Sequence, residues 1–206
     1  MMETRFWLIR HAIVAKNELD RVYGIKDVPI CPGNLAAQTP IYRALAARLP
    51  RPARWFCSPL QRTRHTAEAI FAAGYDEQTL TVEPGIIEQN LGALQGLDRD
   101  EVTASLASPA HPFWTLSHAE VPEGGESVEH MLARVGDAME RLARQHRGED
   151  LVLVSHGGTI RAAVGHAMGV GALPILHLSV QNLSLTRIDH LDEGWRVGWV
   201  NSMSGV

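Results

Sequence analysis

Cysteine is almost missing from this chain: only Cys31 and Cys57 occur among 206 residues. That is too few for a disulfide-stapled scaffold or a paired-cysteine metal site, and both are expected to be free thiols in a reducing cytoplasm. No apolar run reaches the roughly 18 residues that a membrane-spanning helix needs. The opening Met1-Met2-Glu3-Thr4-Arg5 lacks the charged-then-apolar pattern of a secretory signal. An excess of one charge is missing too. Lys and Arg total 19 against 23 Asp and Glu, a net charge of -4 with both signs scattered, so there is no basic face for nucleic acid and no polybasic membrane tract. Repeats, low-complexity segments and linkers are also absent. These absences leave a small molecule as the expected partner, with no nucleic acid and no membrane, and a homodimer stays open.

What is present is a chain 45% hydrophobic, enough to bury a sizeable core as one domain over residues 1–206. Its organising stretch is Phe6-Trp7-Leu8-Ile9-Arg10-His11-Ala12, an apolar run that stops at a basic pair. Without helical spacing, such a run reads as a strand buried on both faces, with Arg10 and His11 at its carboxyl end, where ligands bind in open α/β sheets. The run Asp150–Ser155 followed by His156-Gly157-Gly158 repeats the design, so two buried strands each deliver a histidine. Ala53–Cys57 reads as another strand, leaving through Ser58-Pro59 into a helix from about Leu60 to Ala73, with Ser58 as its cap and Arg62 in its first turn. A helix is expected over Leu35–Leu49, with Pro40 as an early kink or a late start. Thr81-Val82 reads as a short edge strand. Glu126–His146 reads as a long amphipathic helix, and Leu183–Ile188 and Trp195–Val200 as strands joined at Asp192-Glu193-Gly194.

Taken in order, Arg10-His11, Ser58-Pro59-Leu60-Gln61-Arg62-Thr63, Glu88 with Gly92 and Gln95-Gly96, Gly124-Gly125-Glu126-Ser127, and Ser155-His156-Gly157-Gly158 resemble the histidine phosphatase superfamily, the phosphoglycerate-mutase-like branch 1. The resemblance spans nearly the whole chain. It implies a three-layer α/β/α sandwich around a mostly parallel sheet, with residues 97–121 as a cap-like insertion. It also implies metal-independent phosphomonoester hydrolysis through a phosphohistidine on His11, with Glu88 as proton donor and no metal or cofactor. Asn17 and Gly24 match positions that contact phosphate or substrate in the family, and the loop Ile13–Cys31, which carries them and Tyr23, is expected to wall the pocket.

The residue types suit this chemistry. A phosphoryl group in flight spreads negative charge over its oxygens, and Arg10 and Arg62 each offer a planar fork of donors. Their charges also disfavour protonation of His11, leaving it nucleophilic. His156 is expected to add a donor, and Gly157 to let backbone approach the anion. Two alternatives remain open: mutase-type phosphoryl transfer, or a non-catalytic relative that binds a phosphorylated ligand. Between Glu88 and Gly124 the one basic residue is Arg99, against Asp98, Asp100, Glu101, Glu120 and Glu123. That balance argues for a phosphatase whose substrate is neutral or apolar away from the phosphate, capped by Phe113 and Trp114. The chain departs from the family pattern at Ala12-Ile13-Val14. A positive φ at position 12 would strain alanine by about 1 kcal/mol, and Val14 removes a hydroxyl.

Overall fold

Large side chains alternate along the first strand, β1 (Thr4–Arg10), so that Phe6 and Leu8 enter one apolar core and Trp7 and Ile9 face another. This is the register of a central strand covered on both sides. Each side chain sealed in this way contributes roughly 1.5–3 kcal/mol. The computed structural model describes residues 2–203. After β1 come α1 (Pro32–Ala37), α2 (Thr39–Arg48), β2 (Arg54–Cys57), α3 (Gln61–Ala72), β3 (Leu80–Val82), α4 (Arg99–Ser105) and α5 (Val128–Gln145). The chain continues through β4 (Asp150–Ser155), α6 (Gly157–Met168), α7 (Ala172–Ile175), β5 (Leu185–Leu191) and β6 (Gly194–Ser202).

The strands form one sheet in the order β3-β2-β4-β1-β5-β6. Neighbours from β3 to β1 pair in parallel, while β5 runs antiparallel to both β1 and β6. On one face α5 and α6 cover Phe6, Leu8, Leu151 and Leu153. On the other α2 and α3 cover Ile9, Trp55, Val152 and Val154. The result is the expected three-layer sandwich with a mostly parallel sheet.

The pairing of β1 with β4 sets Arg10 opposite Ser155, and the His11 N–H donates to the Ser155 carbonyl at 2.9 Å. Two strands 140 residues apart in sequence thus end side by side, each followed by its histidine.

The helix expected over Leu35–Leu49 is instead two helices, broken at Gln38. Pro40 sits at the start of the second, where its missing N–H costs nothing. Ser58 is not the cap of α3, whose N-cap is Leu60. Its hydroxyl accepts from the Leu60 N–H at 3.2 Å and meets the His156 ring at 2.7 Å. Within residues 97–121, α4 is closed by a capping box between Asp98 and Glu101, and Val102 and Leu116 pack with Val22 and Leu91. A tight turn at 111–116 follows, tied to the segment after α7 by His111 and His177, whose Nε2 atoms are 3.3 Å apart.

Candidate active site

His11 follows the last residue of β1 and is 2% exposed. Its Nδ1 lies 2.7 Å from the Ala12 carbonyl oxygen. A carbonyl only accepts, so Nδ1 carries the hydrogen and Nε2 keeps a lone pair with no partner. Burial, reinforced by the Arg62 and Arg10 guanidiniums, holds the His11 pKa well below the ordinary histidine value. A buried, neutral imidazole with a free Nε2 is in the form that nucleophilic attack requires. Its backbone is pinned on every side. Asn182 Nδ2 donates to the His11 carbonyl at 2.7 Å, and the Ala12 N–H donates to Thr66 Oγ1 at 2.9 Å. Ala12 is not among the positive-φ residues, so the strain considered for alanine there does not arise. Val14 is buried and pairs across a bridge with Ile30.

His156 is fully buried, its ring centroid 5.2 Å from that of His11. Arg62 Nε donates to its Nδ1 at 3.3 Å, so Nε2 carries the hydrogen and donates to Ser58 Oγ at 2.7 Å. Both ring nitrogens are therefore engaged. The donor expected of His156 toward an oxyanion is, in this arrangement, directed at Ser58, while its other ring nitrogen accepts from Arg62. Burial first, then Arg62 and its other cationic neighbours, push its pKa well down.

The Arg62 side chain is fully buried. Its Nη1 and Nη2 donate to the carbonyls of Lys26 at 2.8 Å and Gly24 at 2.7 Å, and Tyr23 lies over its face at 5.2 Å. With Nε spent on His156, two of the five guanidinium hydrogens remain for an anion. Gly24 is required here. Its φ is +44°, and a Cβ would sit 2.6 Å from the Gln89 carbonyl oxygen. Arg10 donates through Nη1 to the Val180 carbonyl at 2.6 Å, while its Nε is buried with no partner. An unsatisfied buried N–H costs about 1–3 kcal/mol, and a bound oxyanion would recover it.

Arg10 lines a cavity of about 440 Å³ together with Tyr23, Gly24, Glu88, Trp114 and Gly157, among others. Glu88 Oε2 accepts from the Gly158 N–H at 3.1 Å, at the start of α6, and Oε1 accepts from the Gln89 N–H at 2.9 Å. Trp114 donates through Nε1 to Gln89 Oε1 at 2.9 Å and closes one side, with exposed Phe113 at the mouth. Asn17 is not brought here. It is exposed and donates to Glu18 in a short 3₁₀ turn. Among the described residues, no three His, Cys, Asp or Glu side chains gather as a metal-ligand set.

The family model for the histidine phosphatase superfamily, branch 1, matches residues 6–203. The chain belongs to this superfamily. It is 29% identical over 196 residues to the metal-independent phosphoserine phosphatase of Arabidopsis thaliana, covering 93% of this chain and 81% of that protein. It is likewise 29% identical over 203 residues to the "Probable phosphoglycerate mutase GpmB" of Escherichia coli O1:K1, covering 97% and 91%. Among solved structures, the mycobacterial glucosyl-3-phosphoglycerate phosphatase superposes with a TM-score of 0.80 at 23% identity, covering 96% of this chain and 98% of that one. The Shigella flexneri alpha-ribazole phosphatase superposes with 0.78 at 22%, covering 98% of each.

In this histidine phosphatase superfamily member, Arg134, Arg161 and Ser58 make contacts around the site that the sequence pattern does not mark. Arg134 on α5 donates to the carbonyls of Gly85, Ile87 and Glu88 and pairs with Glu126 at 2.7 Å, which holds the segment carrying Glu88. It sits three residues after Met131 and one before Val135, so only an arginine standing beside the buried stripe hinted at it. Arg161, one turn after Gly157, lines the cavity with its guanidinium 4.8 Å from the Trp114 ring. Ser58 orients His156. No periodicity flags either residue.

Proposed function

We propose that this chain is a phosphomonoesterase acting on a small phosphorylated metabolite, with residues 97–121 as a cap over one catalytic domain. His11 Nε2 attacks phosphorus, the phosphorus–oxygen ester bond breaks, and Glu88 as the carboxylic acid gives its proton to the leaving alkoxide. The resulting Glu88 carboxylate then takes a proton from water, whose oxygen attacks the phosphohistidine. The phosphorus–nitrogen bond breaks, and free phosphate and neutral His11 are restored. Arg10 Nε and the two unspent hydrogens of Arg62 face the charge that grows on the equatorial oxygens. The observation that carries this reading is the tautomer of His11, with Nδ1 committed to the Ala12 carbonyl and Nε2 left free.

The family membership and the Arabidopsis relative named as a metal-independent phosphoserine phosphatase support hydrolysis without a metal. Guanidiniums where a divalent ion would have to sit repel it. No helix among the described residues is long and apolar enough to cross a membrane, and Cys31 and Cys57 are free, which favours a cytoplasmic site of action.

The test is p-nitrophenyl phosphate turnover with EDTA present, together with acid-labile labelling of His11. EDTA is expected to leave the rate unchanged, and His11→Ala to lower it by about four orders of magnitude. Turnover surviving His11→Ala, or lost to EDTA, overturns the reading. The relatives named as mutases set the competing outcome: exchange of 2- and 3-phosphoglycerate faster than hydrolysis would put a second hydroxyl in place of water.

A further inference from the structure

The balance of charge around the cavity differs from that of the sequence around it. Residues 98–101 are mostly acidic, yet Asp98 accepts from the N–H groups of Asp100 and Glu101, and Glu101 accepts from that of Asp98, so two of these carboxylates are spent on capping α4. The charged groups that do line the cavity are Arg10, Arg21, Arg99 and Arg161, with Glu88 the one carboxylate. A distal neutral or apolar group, expected from the composition of residues 97–121, does not match such a lining.

Arg161 is the arginine placed to read a second anion. Its Nε donates to the Leu178 carbonyl at 2.7 Å and its face lies on Trp114, which Gln89 in turn holds. Tied at Nε and held over the Trp114 ring, it has its Nη edge left to offer, a pair of parallel N–H groups of the geometry that suits a carboxylate. Neither Nη atom has a hydrogen-bond partner among the described residues. A methyl group at Gly157 would lie 3.4 Å from both Arg10 Nε and Arg161 Nη1, so these nitrogens are at most twice that distance apart. Two guanidiniums this close, with a single carboxylate near them, are stabilised by a ligand that brings negative charge to each. Burial and the charge of Arg10 both disfavour the cationic form of Arg161, which Glu88 supports. The Arg99 guanidinium, which also lines the cavity, has no hydrogen bond or ion pair among the described residues and adds to the field that draws anions in.

We propose that Arg161 binds a carboxylate carried by the substrate, so that the substrate class is the phosphate monoester of a short hydroxy acid, with acid and phosphate only a few bonds apart. This rests on the phosphatase reading above and adds to it a specificity-determining residue.

Matched pairs of esters test it: O-phosphoserine against O-phosphoethanolamine, and 3-phosphoglycerate against glycerol 3-phosphate. Each pair differs in its carboxylate. The native protein is expected to favour the acid by about 100-fold in kcat/KM, the scale of one charge-assisted hydrogen-bonded pair. Arg161→Met is expected to bring that ratio to within about threefold of unity, and Arg161→Lys to restore part of it, since the charge returns without the fork. Acid and analogue turned over equally by the native protein in both pairs, or an equal loss on acid and analogue in Arg161→Met, overturns the subsite. A preference for fructose 1,6-bisphosphate over either acid overturns the choice of carboxylate. Calorimetric binding of O-phosphoserine and O-phosphoethanolamine to the His11→Ala protein reads the same discrimination without turnover. A failure of the phosphatase reading, seen as no turnover of p-nitrophenyl phosphate, is therefore distinguishable from a failure of the subsite.

Discussion

At Gly158 the distance from backbone to the Glu88 carboxylate is set by the lack of a side chain. A Cβ there would stand 2.3 Å from Glu88 Oε1 and 3.1 Å from Trp114, inside van der Waals contact of both. Gly158→Ala is therefore expected to move Glu88 off the Gly158 N–H and lower kcat by about 100-fold, the scale for a displaced proton-transfer group. Its melting temperature should stay within a few degrees of the native one, because the clash falls on a half-exposed side chain at the site. Steady-state kinetics and a thermal melt together check this. His11, Arg10, Arg62 and Gly157 were legible because each stands next to a strand or helix start that pattern alone marks. Ser58 was legible only as a cap. Whether its hydroxyl closes a helix or orients an imidazole depends on His156, 98 residues away.

Among the elements, α5 shows how a helix read correctly for its buried stripe can carry a second task. Val128, Met131, Val135, Met139 and Leu142 seal one face of the sheet as the spacing required. Arg134, beside that stripe, crosses to the loop after β3 and binds three of its carbonyls. Arg134→Met keeps the helix and the side-chain length but leaves those carbonyls and Glu126 without their donor. It is expected to cost about 2–3 kcal/mol of unfolding free energy and to lower kcat at least tenfold. Urea denaturation and turnover of the same preparation check both, and a loss of stability with an unchanged kcat would mean that the loop keeps Glu88 in place by other means. The break between α1 and α2 was half legible. Pro40 announced a boundary, but a proline tolerates both a kink and a first turn, and only the packing of Tyr42 and Leu45 against Trp55 and Ile70 selects the second.

For the whole molecule, the buried neutral histidines set the response to acid. His11 and His156 both have folded pKa values pushed well below the ordinary value, by burial first and by arginine neighbours next. The unfolded chain therefore binds protons that the folded chain refuses once the pH falls below about 6.5. The sign follows: stability is full above that pH and declines as pH falls toward the folded values, by up to about 1.4 kcal/mol per pH unit for each histidine. Denaturation at pH 7.5, 6.5 and 5.5 is expected to show this slope, and His156→Asn to make it shallower by one proton. A slope identical in variant and native protein would show that His156 is not refused its proton in the fold.

By itself the sequence determined which segments are strands buried on both faces, where each stops, and that basic and imidazole groups stand at the stops. Hydrophobic runs and the residues that end them are local facts, set by the few residues on either side. Strand order is not local. That β4 lies between β1 and β2, bringing His156 beside His11 and Arg62, is decided by which faces can be covered at once by helices from distant parts of the chain. The tertiary structure also decided the hydrogen-bond partners, and with them the tautomers of His11 and His156. It decided as well which charges in residues 97–121 face the cavity and which are spent on capping, and composition, which counts charges without directions, had pointed the other way.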